Sequence, residues 1–172
     1  ISSSSNLFNK QVMNTLIEYP DNAPYTSYDI DYSFVGELEE NNIYLDHETP
    51  INSGVIALVF TATQRDDDGN DLDKRYVIKT KRRNIDERLR QSINQMSFFI
   101  YLISWLPYLN KLNLVDVFEE NIQSIRDQVD FVKECENTQK MQKRNKNIDY
   151  IVIPKVYPEY TKENPNMILM DY

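Results

Sequence analysis

The chain has one cysteine, Cys135, and one histidine, His47. No internal disulfide can form, and a zinc site of the usual His and Cys ligands lacks the side chains to build it. No Asn-x-Ser/Thr glycosylation sequence occurs either, so the expected setting is intracellular and reducing. Cations are also short: 19 Lys and Arg stand against 27 Asp and Glu, for a net charge of -8 and a pI near 4.7. That excess argues against nucleic acid and against an anionic membrane as the main partner, because both attract cationic surfaces. The run Lys79, Lys81, Arg82, Arg83 is too short to reverse it. No apolar run approaches the roughly 20 residues of a membrane span, and the serines at positions 2–5 lack the apolar core of a signal peptide.

With 41% hydrophobic and 27% charged residues, the composition is that of an ordinary globular domain with enough chain to bury a core. A start at Ile1 fits a segment of a longer product or a processed chain. The abundance of Asn, Ile, Lys and Tyr suggests an AT-rich coding genome, such as a protist's or a large DNA virus's. Residues 1–34 read as a partly disordered arm, with a short helix over residues 8–18 and then the turn formers Pro20, Asp21, Asn22 and Pro24. No internal repeat is visible.

From residue 51 the pattern changes. Val55, Ile56, Ala57, Leu58, Val59 and Phe60 are β-prone, residues 66–73 (DDDGNDLD) form a solvated turn around Gly69 and Asn70, and residues 76–80 return as a second strand. Alternation puts Val77 and Lys79 on one face of that strand, and Tyr76 and Ile78 on the other. Taken alone, such a lysine reads as a strand-end residue that snorkels to water rather than as a site residue.

Residues 86–109 read as a helix whose part from Met96 to Leu106 (MSFFIYLISWL) is almost wholly apolar. Too short to cross a bilayer, it is expected to bury itself against the next helix, with a groove for a membrane or partner as the alternative. That next helix, residues 115–143, carries Phe118, Ile122, Ile125, Val129 and Val132 at helical spacing. Asp130 and Glu134 lie together beside this stripe and could reach one cleft, or form a solvated acidic flank paired with Arg126 or Lys133. Residues 150–153 and 167–170 are expected as short strands that close a small sheet with the hairpin.

These pieces, in this order, resemble the UbiB family of atypical kinases, the ADCK-like proteins associated with coenzyme Q and lipid metabolism. The family's loop P-x-A-A-A-S-I-A-Q-V-H-x-A is matched without a gap at Pro50, Ile56, Ala57, Val59 and Ala62. Its V-A-V-K-x-x-R is matched by residues 76–82 (YVIKTKR). Its E-x-D-F-x-x-E-A-x-N is matched by Asp130, Phe131, Glu134 and Asn137, with Gln128 at the first position. V-P-x-V-Y and L-x-M-E-Y resemble residues 153–157 (IPKVY) and 169–172 (LMDY). The resemblance covers residues 50–172.

The resemblance implies an α+β fold like a protein-kinase N-lobe over residues 35–172, a small antiparallel sheet packed against long helices and ending at the hinge. It implies an adenine nucleotide, ATP or ADP, with Mg2+ bound by residues outside this chain. Lys79 would neutralise phosphate charge and Glu134 would hold its ammonium in place, with Asp130 as a third catalytic candidate. The loop residues Asn52, Ser53, Gly54, Val55, Ile56 and Ala57 would cover the phosphates. Val59, Val77 and Met170 would line the base pocket, and Asp171 and Tyr172 would offer hinge hydrogen bonds. The implied partners are a C-terminal kinase lobe and a protein or membrane surface met by the aromatic helix.

The sequence departs from the family where Asn52, Ser53 and Gly54 replace the loop alanines, and at Gln128. The N-terminal K-x-G-Q motif has no counterpart beyond the faint likeness of residues 8–11 (FNKQ). In UbiB-like proteins that motif and the first helix glutamate face each other across the active site, so the expectation is that this interaction is absent. The catalytic-loop aspartate, its downstream asparagine and the Asp-Phe-Gly of a second lobe do not occur here. By itself the chain is expected to supply part of a nucleotide site without turnover. The alternative is a degenerate kinase fold kept as a scaffold or virion-associated module.

Overall fold

The computed structural model describes residues 23–106, 114–146, 148 and 150–172. The helix expected over residues 8–18 and the FNKQ stretch lie outside them. The chain divides into two compact units, residues 1–82 with 169–172, and residues 83–168.

The first unit is built on an antiparallel hairpin. Strand β3 (Ala57–Arg65) pairs with β4 (Asp71–Lys81), with Phe60 opposite Ile78, Val59 opposite Lys79, and an irregularity between Thr63 and Arg65. The Asp66 carboxylate closes the turn, accepting the backbone N–H groups of Asp68 at 3.0 Å and Asn70 at 2.8 Å. The Asn70 side chain, then its backbone N–H, hold the Asp66 carboxyl below its ordinary range. Gly69 takes φ +84°, a left-handed conformation that costs glycine nothing.

Both β1 (Ile43–Leu45) and β2 (Asn52–Ser53) lie along one edge of β3, while β5 (Met167–Asp171) follows β4. Alternation divides the hairpin's side chains in two. Leu58, Phe60, Ala62, Tyr76, Ile78 and Thr80 are buried on the inner face. Residues 23–34, expected as part of an arm, contribute to this core: Ile30 and Phe34 are buried, as are Leu38 of helix α1 (Val35–Glu39) and Ile43. The Phe34 and Phe60 rings meet at 5.8 Å and 52°. Each buried Phe or Ile here contributes about 1.5–3 kcal/mol through lost apolar exposure.

The second unit contains α2 (Ile85–Ser104), α3 (Leu114–Val129), α4 (Phe131–Arg144) and α5 (Pro158–Glu163). The single helix expected over residues 115–143 is two helices, because Asp130 leaves helical geometry and caps α4, its Oδ1 accepting the Lys133 N–H at 2.9 Å. Lys133 spans the junction with an ion pair to Asp127 at 2.7 Å. Helix α4 buries Phe131 and Cys135, four apart on one face. Burial, reinforced by the nearby carboxylates of Glu159, Glu134 and Glu136, pushes the Cys135 thiol up, so it stays protonated near neutrality. The strand expected at 150–153 does not form. Tyr150 and Val152 are 88% and 92% exposed, and β-prone residues without a neighbouring strand have nothing to pair with.

The apolar end of α2 corrects another expectation. Phe98, Phe99, Tyr101, Leu102, Trp105 and Leu106 are all exposed, Trp105 at 72%. The helix is apolar on every side there, whereas α3 offers one stripe. Ile93, Ser97 and Ile100 turn toward Val115, Phe118 and Ile122 around a cavity of about 600 Å³, and the opposite side of α2 faces outward. No described helix is long and apolar enough to cross a membrane. Trp105 is the sole tryptophan, so the native protein should emit as a solvated indole and be quenched by acrylamide as readily as when unfolded. Blue-shifted emission resistant to quenching would contradict this exposure.

Candidate functional site

The expected loop is a hairpin tip. Asn52 pairs with Val59 and Ser53 with Leu58, and the Gly54 N–H donates to the Ala57 carbonyl at 2.8 Å. Residues 54–56 therefore form a tight turn at the end of β3, with Val55 61% exposed and Ala57 buried. On the hairpin's outer face this turn is followed by Ala57, Val59 and Thr61 on β3, with Val77, Lys79 and Lys81 opposite them on β4. Val59, Val77 and Lys79 are half-buried. Four of the sequence-predicted residues, Ala57, Val59, Val77 and Lys79, thus share one face beside the tip that holds the other loop candidates. An apolar strip ending in two lysines beside a tight turn can accept a flat apolar ring with an anionic tail.

The far end of this face is neutralised differently. Asp46 is partly buried, which alone would raise its carboxyl. Hydrogen bonds from Thr63 at 2.7 Å and from Thr61 and Arg75 outweigh that and hold it below its ordinary range. Arg75 and Asp46 thus pair at this end, and Lys79 and Lys81 lie at the loop end.

Two further candidates make contacts within the protein. The Ser53 side chain is buried, and its hydroxyl donates to the Ala23 carbonyl at 2.7 Å, so it turns into the protein. The Tyr172 N–H, expected as a hinge donor, donates to the Arg75 carbonyl at 3.2 Å, and the Arg75 guanidinium stacks 4.4 Å above the Tyr172 ring. Met170 and Asp171 are half-buried on β5, with Leu169 fully buried before them. The residue that sequence reasoning passed over is Arg82. Its signal was the closing arginine of the V-A-V-K-x-x-R match, read there only as part of a pattern.

Asp130 and Glu134 belong to the second unit. Asp130 is exposed and caps α4; Glu134 is half-buried in the first turn, its N–H donating to the Asp130 carbonyl at 2.9 Å. Among the described residues, no three His, Cys, Asp or Glu side chains are placed to hold a metal ion.

A family model described as the ABC1 atypical kinase-like domain matches residues 21–172. The chain belongs to the ABC1 atypical kinase-like family. Relatives described as "Probable protein kinase UbiB" are 25% identical over 117 residues in Tolumonas auensis and 27% identical over 127 residues in Cronobacter sakazakii. These matches cover 68% and 72% of this chain and 21% of each relative, so the chain spans about a fifth of the length of those curated relatives. Rv3197 of Mycobacterium tuberculosis, solved in complex with erythromycin, matches at a TM-score of 0.52 and 16% identity, over 98% of this chain and 41% of that one. The likeness shows the fold, the α+β kinase-like N-lobe that the motifs imply. For the ABC1 helix motif, the cap at Asp130 yields a direct test. Asp130→Ala should lower thermal stability by about 1 kcal/mol for the lost cap, whereas Asp130→Asn, which also caps, should lose less. Equal losses in thermal denaturation would contradict the capping role.

Proposed function

We propose that this chain forms the N-lobe half of an adenine-nucleotide site in an ABC1-family atypical kinase or ATPase. The observation that carries this reading is the half-buried Lys79 on the same face as Ala57, Val59 and Val77, beside the hairpin tip of residues 52–57. In this reading the Lys79 ammonium compensates phosphate charge, and Val59, Val77 and Met170 contact the base. Asp171 borders the base, and Glu134 positions Lys79. Mg2+, bound by residues outside this chain, would supply further charge neutralisation at the phosphates. Phosphoryl transfer or hydrolysis belongs to the protein that includes the C-terminal lobe.

The test is calorimetric titration of the full-length protein with ATP and ADP, with and without Mg2+. Lys79→Ala removes a charge-assisted hydrogen bond worth about 1.5–3 kcal/mol, so affinity should fall roughly ten- to a hundredfold. Glu134→Gln should weaken binding less and turnover more, since it acts through Lys79. Absence of any response to either nucleotide in the wild-type protein would overturn the proposal.

The same proposal gives the outer side of α2 the role of a contact surface for a protein or a membrane, supported by the exposure of Phe98, Phe99 and Trp105. Phe98→Ser with Phe99→Ser should abolish association measured by vesicle flotation and by sedimentation, and leave nucleotide affinity unchanged. Monomeric sedimentation without flotation in the wild-type protein would contradict this surface.

A further inference from the structure

Behind the hairpin tip lies a buried polar cluster that the nucleotide reading does not use. The Arg82 guanidinium, 7% exposed, is encircled by backbone oxygen. Its Nε donates to the Gly54 carbonyl at 2.9 Å, one terminal nitrogen to the Pro24 carbonyl at 2.9 Å, and the other to the Ala23 carbonyl at 3.0 Å. Asp29, 10% exposed, supplies the counter-charge at 3.6 Å and is itself oriented by the Thr26 N–H at 2.9 Å and Oγ1 at 3.2 Å. Ala23 and Ser53 are tied reciprocally: the Ala23 N–H donates to the Ser53 carbonyl at 2.8 Å, and the Ser53 hydroxyl to the Ala23 carbonyl at 2.7 Å. The Arg82 N–H closes the set on the Ile56 carbonyl at 2.9 Å.

From this geometry we infer that Arg82 is the positioning residue of the hairpin tip: it grips residues 54–56 and the 23–29 segment together and so fixes where the tip lies relative to Lys79. The inference rests on the nucleotide reading of that tip. The positional argument is that Lys79 and Arg82 leave the same run of chain in different directions. Lys79 stands on the half-buried outer face, and Arg82 reaches the carbonyls of the tip in the protein interior. A carbonyl held by Arg82 in the interior cannot rotate outward, so the neighbouring amides keep a single orientation. The planar five-donor fork is what this task needs, because a lysine ammonium is a point charge that cannot reach three divergent carbonyls at once. Burying the guanidinium is tolerable because the Asp29 carboxylate and three carbonyls compensate it.

The experiment combines amide hydrogen exchange with nucleotide titration of the full-length protein, for wild type, Arg82→Lys and Ser53→Ala. Arg82→Lys should speed exchange in residues 53–57 and leave β4 residues 76–80 as protected as before. It should also weaken ATP about tenfold, the effect of losing roughly one charge-assisted hydrogen bond's worth of preorganisation. Ser53→Ala, a milder cut in the same cluster, should show the same pattern with a smaller change and decides the matter if Arg82→Lys does not fold. A role confined to stability would lower the melting temperature and leave tip exchange and the affinity of the folded protein unchanged, which would overturn the inference. If wild type binds no nucleotide, the nucleotide reading falls. The exchange pattern then decides the clamp: selective acceleration at residues 53–57 upholds it, and unchanged protection overturns it.

Discussion

The pairing of β3 with β4 sets what the first unit can be. An antiparallel pair with Phe60 opposite Ile78 has every second residue on the inner face, so burying that row obliges Val59, Val77 and Lys79 to share the other. A slip of one residue would exchange the rows and drive Lys79 into a core where Leu58, Phe60 and Ile78 have no exposure at all. Desolvating an unpaired ammonium costs several kcal/mol, so the hydrophobic pattern also fixes the position of the lysine. Core packing and the chemical face are two consequences of one register.

The second unit is held differently. Its helices are amphipathic to unequal degrees, and the junction at Asp130 lets α3 and α4 take independent directions although their apolar spacing continues across it. Helix α4 spends its apolar positions on burial at Phe131 and Cys135. Helix α2 has more apolar surface than α3 can cover, and the surplus stands outward. Such surplus is costly in water, because apolar surface left uncovered keeps its hydration cost.

What could be read in the sequence follows from the range of the signals. The hairpin was legible because its evidence is local: alternation, the Asp66, Gly69 and Asn70 turn chemistry, and a lysine whose parity follows from its neighbours. The family resemblance and the α+β kinase-like fold were legible because short motifs kept their order. The break at Asp130 was not, since the stripe from Phe118 to Val132 runs through it and a capping aspartate looks like any helical surface residue. The outward face of α2 was equally hidden, because apolarity records a need for cover without saying what supplies it. The strand expected at 150–153 failed for the same reason: propensity without a partner. At the site, the shared face of Val77 and Lys79 was legible from alternation, whereas the inward turn of Ser53 and the grip of Arg82 depend on contacts with residues 23–29, far away in sequence.

The sharing of one β3 edge by β1 and β2 has a consequence for how this protein behaves among its own copies. A long strand with an open edge offers a row of backbone donors and acceptors on which another chain can build. Here β1 pairs at positions 62–64 and β2 at 58–59, so that row is consumed in two pieces by strands of three and two residues. Each piece ends in a turn before it could serve as a template of any length. The arrangement that shapes the hairpin tip also guards this edge of the sheet against edge-to-edge aggregation.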